Sequence, residues 1–373
     1  MFYGYLEDTN LISERMNYMS SIVIYPFCRR FSEFARCKEA LKEFDEVIPI
    51  APKGFGMEGE DVSVCDGGNP QGIKISSDYS ANIMQADAAF FGYVEANISA
   101  ESYKEKIKNA IALNKRVFIT KELKDFLSGA DELQPVELID YTNNMPEHEL
   151  TLNLLTIPVP VIMVAGIGDR CDKFSIQVKL GNFFSEQGYR VLNCGTKDFS
   201  KFFGIEALPQ FLFDPMDNGM KIRRFNSYIY HRVIKENPEV VIIGVPGGIM
   251  QVNPYEFSEF GELAFIISNA IKSDISILSL YTQELNGDFL DHLTKLCRYK
   301  LNFQINYINI ANTDLLILPD EKECQYTTVP SEHIIDKIMQ KFHYDDAFLF
   351  NALDDKSMRK ACNEILSELE ENL

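Results

Sequence analysis

The chain has 373 residues, a formal net charge of −19, 46% hydrophobic and 24% charged residues. That is long enough for two cores and too apolar for a disordered chain. The acidic balance disfavours nucleic acid and anionic lipid as partners, although a local nest of backbone N–H groups can still hold a small phosphate ligand. No apolar run reaches the roughly 18–20 residues of a membrane helix, and the N-terminus lacks the basic and apolar regions of a signal peptide. Eight scattered cysteines without CxxC pairs read as reduced thiols in a cytoplasmic protein.

In chain order, residues 21–27 (SIVIYPF) form a β-branched apolar strand, followed by helical spacing over 31–44 and a second strand at 46–50. Strands follow at 73–76, 88–93 and 116–120, with helices at 79–86 and 102–113 between them. Strands alternating with helices of this length predict βαβ units and a parallel, Rossmann-like sheet over 1–130. The polar, turn-rich stretch 131–156 reads as a linker.

A second α/β series starts at 157. Strands are expected at 160–165, 190–194, 239–243, 275–280 and 304–310. Helices are expected at 173–187, 220–236, 257–271, 287–299 and 331–342, with a packing helix at 354–369. The fold class is therefore α/β, with two domains, each a mainly parallel sheet flanked by helices. The first is Rossmann-like and the second, 157–373, P-loop-like.

The strand PVIMVA runs into Gly166, Gly168, Asp172, Lys173 and Ser175, and then into a helix. Glycines let backbone N–H groups close on phosphate oxygens, the helix N-terminus adds partial positive charge, Lys173 neutralises a terminal phosphate, and Ser175 serves as a magnesium ligand. The spacing is one residue longer than G-x4-G-K-[ST]. Asp172 replaces the glycine before the lysine and opposes phosphate unless a metal bridges them, and Phe174 intervenes before Ser175. An ordinary βα turn remains open as the plainer reading. A second strand, EVVII, leads into Gly244, Val245, Pro246, Gly247 and Gly248. This is similar to the second motif of MinD-like and CobQ-like ATPases, except that Gly244 stands where the magnesium-ordering Asp belongs. That substitution argues against efficient hydrolysis. Gly195, Thr196, Lys197 and Asp198, after RVLNC, fall on the same sheet edge, either as ligand contacts or as a polar turn.

Taken together, VIMVAGIGDRCDKFSIQVKLGNFFSEQGYRVLNCGT and VVIIGVPGGIMQVNPYEFSEFGELAF resemble a clostridial peptide maturation system family of natural-product gene clusters. That resemblance implies an accessory place in ribosomal peptide modification, with a precursor peptide or a radical SAM-type enzyme as partner, and assigns no reaction. The alternative is an ATP- or GTP-dependent enzyme using magnesium, with Lys173 and Ser175 as its phosphate and metal ligands.

The stretch from Gly54 to Gly59 spells GxGxxG, but the following EDVSV reads as a strand where the dinucleotide fingerprint needs a helix, so it is a loop. The loop 66–72 is turn-rich and lies at a strand end, as an ordinary turn or, less simply, as the lining of a cleft facing the second domain. The histidines show no metal-ligand spacing. Cys171, just ahead of a helix N-terminus, is placed for a dipole-lowered pKa, although a bystander thiol is the plainer reading. Glu256, Glu259 and Glu262 are expected on the helix beside the second glycine loop, Glu259 and Glu262 sharing a face by spacing, as a solvated face or a hold for a cation or a basic peptide.

Overall fold

The computed structural model describes residues 20–127, 134–139, 153–195, 197–318, 323–342 and 344–371. The first half contains β1 Ser21–Tyr25, α1 Glu33–Arg36, β2 Glu46–Pro49, α2 Tyr79–Gln85, β3 Ala88–Phe91, α3 Ala100–Ala112, β4 Arg116–Thr120, α4 Lys121–Phe126 and β5 Glu137–Ile139. Its five strands pair in parallel in the order β2-β1-β3-β4-β5, so the topological switch point falls between β1 and β3. β1 and β3 are buried along their whole length, and apolar apart from Ser21 at the start of β1, as strands covered on both faces are. β5 lies in the stretch read as linker, so the first sheet continues past residue 130. A three-residue edge strand is too short to show a period of two.

The second half contains β6 Val161–Gly166, α5 Lys173–Glu186, β7 Val191–Gly195, β8 Glu206–Ala207, α6 Asn218–Glu236, β9 Val240–Gly244, α7 Glu262–Ala270, β10 Ile275–Leu280 and α8 Gly287–Tyr299. It continues with β11 Tyr307–Ile310, β12 Thr313–Leu318, β13 Glu323–Thr328, α9 Ser331–His333, β14 Phe348–Phe350 and α10 Asp355–Glu371. Seven strands form a parallel sheet in the order β14-β11-β10-β6-β9-β7-β8, while β12 and β13 form a separate antiparallel hairpin. β6 is central, and the loops leaving β6, β9 and β10 share one carboxyl edge. The expected α/β architecture of two mainly parallel sheets flanked by helices is the observed one.

Several elements differ from expectation. Residues 31–44 form short 3-10 and α turns rather than one helix, because Phe31, Phe34 and Ala35 are all drawn into a core. EDVSV is not a strand: Val62–Cys65 is a 3-10 turn capped by the Asp61 carboxylate, which accepts from the Ser63 N–H. The segment 73–76 makes only isolated bridges. The helix expected from 257 begins at Glu262, because Ser258, Glu259, Phe260 and Gly261 all have φ between 44° and 73°. That left-handed turn removes the helical face that Glu259 and Glu262 were expected to share.

The junction between the halves is a packed core rather than a cleft. Phe31, Phe34, Phe44, Phe90 and Phe118 of the first half interlock with Phe174, Phe199, Phe202 and Phe203 of the second. Phe34 stacks on Phe199 with ring centroids 5.1 Å apart, and Phe174 meets Phe199 edge-on at 5.4 Å. Polar contacts surround this core. The loop at 66–72 turns to the second half, with Gly67 O accepting from Ser331 N and Asn312 Nδ2, and Asn69 N donating to Leu353 O. A buried bidentate pair, Arg36 to Asp66, fixes that loop from its own side.

Candidate phosphate-binding loop at the carboxyl edge of the second sheet

The central strand β6 ends at Gly166, which has no room for a side chain: a Cβ there would lie 2.3 Å from Cys171 Sγ. The chain then makes a turn whose successive carbonyls, from Gly168 to Cys171, are all held by side-chain donors. Gly168 O accepts from Cys171 Sγ and Lys173 Nζ, Asp169 O from the Tyr281 hydroxyl, Arg170 O from Thr313 Oγ1 and Cys171 O from Ser279 Oγ. In a trans peptide the N–H points opposite to the preceding C=O. Holding these carbonyls therefore turns the following amides the other way. Among the described residues, no backbone N–H from Gly168 to Ser175 donates to a protein atom, and Ile176 N is the first to find a helical acceptor, Asp172 O. Arg170 and Asp172 have φ of 55° and 58°, the left-handed turns that build an anion nest. The row ends on the first turn of α5, where the dipole adds partial positive charge.

Lys173 lies across this turn. Its ammonium donates to Gly168 O at 3.0 Å and to Gly247 O of the neighbouring loop. Pro246, Gly247 and Gly248 thus lie beside the first loop. Gly248 packs against Ile167 O, with space for no Cβ (2.4 Å), and Gly247 takes φ 62°. Gly168 packs on Tyr281 OH.

Asp172 departs from its expected role. Its carboxylate pairs with Arg29 of the first half at 3.1 Å and accepts the Asn312 N–H at 2.7 Å, so its charge is answered by a side chain and needs no bridging metal. Burial pushes the Asp172 carboxyl above its ordinary range, and Arg29 opposes that shift. The left-handed backbone explains why glycine suits this position and why an Asp tolerates it. Arg29 itself also donates to Asn312 O, Thr313 Oγ1 and Thr328 Oγ1.

Ser175 is buried and donates to Glu33 Oε1 of the first half at 3.3 Å. The extra residue, Phe174, enters the aromatic junction core, so the helix turns Ser175 toward α1. Burial pushes the pKa of the Cys171 thiol up, outweighing Lys173 nearby, which fits the plainer reading of a bystander thiol rather than a dipole-lowered one.

The position of the missing Asp is filled from another element. A Cβ on Gly244 would lie 2.0 Å from Gln177 Oε1. The Gln177 amide lies across the ends of β7 and β9, donating to Asn193 Oδ1 at 3.1 Å and Cys194 O at 2.8 Å, and it also abuts Gly195. Gly195 and Gly244 are therefore packing glycines. Thr196 lies outside the described residues. Lys197 and Asp198 face the first half, Asp198 pairing with Arg30 at 3.5 Å. Arg29, Glu33 and Asn312 were not singled out from the sequence, since nothing in the spacing of CRRFSEF marks it as facing a loop some 140 residues away.

These features define a two-sheet α/β protein whose second half carries a P-loop-like strand–nest–helix unit. A DUF1611 family protein from Anabaena variabilis ATCC 29413 has a similar fold, with a TM-score of 0.59 at 10% identity, covering 94% of this chain and 99% of that one. More remote likenesses include a plasmid partition protein from Borrelia burgdorferi (TM-score 0.33, 13% identity, 56% of this chain and 99% of that one). Another is cobyrinic acid a,c-diamide synthase from Mycobacterium smegmatis with bound ADP and magnesium (TM-score 0.34, 14% identity, 58% and 97%). The first likeness extends over both halves and concerns the fold; the other two are too distant to carry an argument. No protein-family model matches the sequence, and no curated protein matches it.

Proposed function

We propose that the loop 166–175 binds the phosphate of a small ligand, a nucleotide such as ATP or GTP being the reference case, and that it does so without rapid hydrolysis. The observation that carries this is the row of backbone amides from Gly168 to Ser175, unpartnered while their carbonyls are held, with Lys173 across it. Gln177, in the space of the strand-end carboxylate, supports binding over turnover, because no side chain from β9 can order a magnesium-bound water. This favours an accessory role over the ATP- or GTP-dependent enzyme. The biological setting, maturation of a ribosomal peptide with the precursor or a radical SAM-type enzyme as partner, is supported by the sequence resemblance alone.

The test is calorimetric titration with ATP and GTP, with and without magnesium, alongside Lys173→Ala. Binding in the wild type that is lost in Lys173→Ala, with phosphate release at background, is the expected result. Equal binding by both proteins, or none by the wild type at millimolar nucleotide, would sink the reading.

A further inference from the structure

We propose that Glu33 of the first half and Ser175 of the second hold one divalent cation, with the ligand's phosphate completing its shell. The idea rests on the phosphate loop proposed above and adds the metal that accompanies it. Glu33 is 7% exposed, and its Oε2 is buried without any hydrogen-bond partner. Its other oxygen is 3.3 Å from Ser175 Oγ, so the carboxyl group is aimed at the first turn of α5. A buried carboxylate with an unanswered oxygen is costly unless a cation or donor meets it. No lysine or arginine lies within ion-pair distance of it among the described residues; burial raises its pKa, the more distant charge of Lys197 opposes that shift, and Oε2 is still left without a donor.

Ser175 N–H also closes the row of unpartnered amides, so the last amide of that row and the hydroxyl that meets Glu33 belong to one residue on the first turn of α5. Hard cations such as Mg²⁺ take this kind of shell: one or two protein oxygens, phosphate oxygens and water. No three His, Cys, Asp or Glu side chains converge among the described residues, which leaves this phosphate-completed arrangement rather than an all-protein cage. The sheet cannot supply the carboxylate, because Gln177 occupies the space at Gly244. Glu33 supplies it from the other domain. The cation would then tie ligand occupancy to the junction that Arg29 and Asp172 already bridge.

The experiment uses Mn²⁺ as the probe, titrated by electron paramagnetic resonance into the full chain with and without ATP. Metal-free ATP binding is measured separately. Wild-type protein should bind Mn²⁺ more tightly with ATP present. Glu33→Gln should weaken Mn²⁺ binding about tenfold or more while keeping metal-free ATP binding, and Ser175→Ala should shift it in the same direction. Glu33→Gln is close in shape and removes a buried charge, so a melting scan is expected to show it folded. If Glu33→Gln binds Mn²⁺ as tightly as the wild type, or the wild type binds ATP but no Mn²⁺, the cation site is overturned and the phosphate loop stands. If Mn²⁺ binding depends on Glu33 but no protein binds ATP with or without metal, the loop reading fails and only the Glu33–Ser175 part of the cation site stands.

Discussion

Gly244→Ala is the sharpest perturbation of this architecture. A Cβ at that position would sit 2.0 Å from Gln177 Oε1 and 2.4 Å from its Cδ, so the amide must leave the strand ends. It then gives up its bonds to Asn193 Oδ1 and Cys194 O. Two buried hydrogen bonds are worth about 1 kcal/mol each, and overpacking a tight site costs about 1–3 kcal/mol. The variant should therefore lose about 3–5 kcal/mol, read as a lower urea midpoint at unchanged slope. Gly244→Asp should cost at least as much. Gln177→Ala/Gly244→Asp should recover part of it, because the new carboxylate enters the space the amide vacates, so the two changes couple strongly in a double-mutant cycle. A loss below about 1 kcal/mol for Gly244→Ala, on the same scale of overpacking costs, would refute the claim that packing excludes the carboxylate.

Arg29→Ala strands the buried Asp172 carboxylate and should cost about 3 kcal/mol, with Asp172→Asn in the same chain restoring much of it; independent effects in that cycle would contradict the ion pair. Burial pushes the thiols of Cys37, Cys65, Cys194, Cys297 and Cys362 up to about 12 from 9.0. The unfolded chain releases these protons first, so stability should fall as pH rises from about 9 to about 12, by up to about 1.4 kcal/mol per pH unit per thiol. Urea midpoints that stay flat between roughly pH 8 and 10 would count against this linkage. In timed alkylation of the native protein, half-buried Cys28 and Cys324 should label before buried Cys171, and early labelling of Cys171 would contradict its placement.

Much of the fold was legible because long apolar strands and their following helices announce themselves by composition and period. β6, β7, β9 and β10 fall within one or two residues of where the sequence places them. The elements that escaped are short or shaped by tertiary contact: β5, β8 and β14 have two or three residues, and the left-handed turn at 258–261 is unmarked by any propensity. At the candidate site, the glycines and Lys173 stand out in the sequence because a glycine-containing turn between a strand and a helix is a recognisable pattern, and the structure brings Gly168, Lys173 and Gly247 together. The partners that set the meaning of Asp172 and Ser175 do not stand out, since Arg29 and Glu33 reach them across a domain junction. Gln177 lay inside the quoted stretch, yet only the geometry of the strand ends shows that it excludes a side chain at 244.

The central claim is that the amides from Gly168 to Ser175 are the phosphate ligands. Amide-resolved NMR of ¹⁵N-labelled protein during titration with inorganic phosphate and then ATP tests it most directly. The largest shifts should fall on the amides of Gly168 through Ser175 and vanish in Lys173→Ala. Shifts confined to other parts of the chain, or unchanged spectra at saturating ATP, would contradict it.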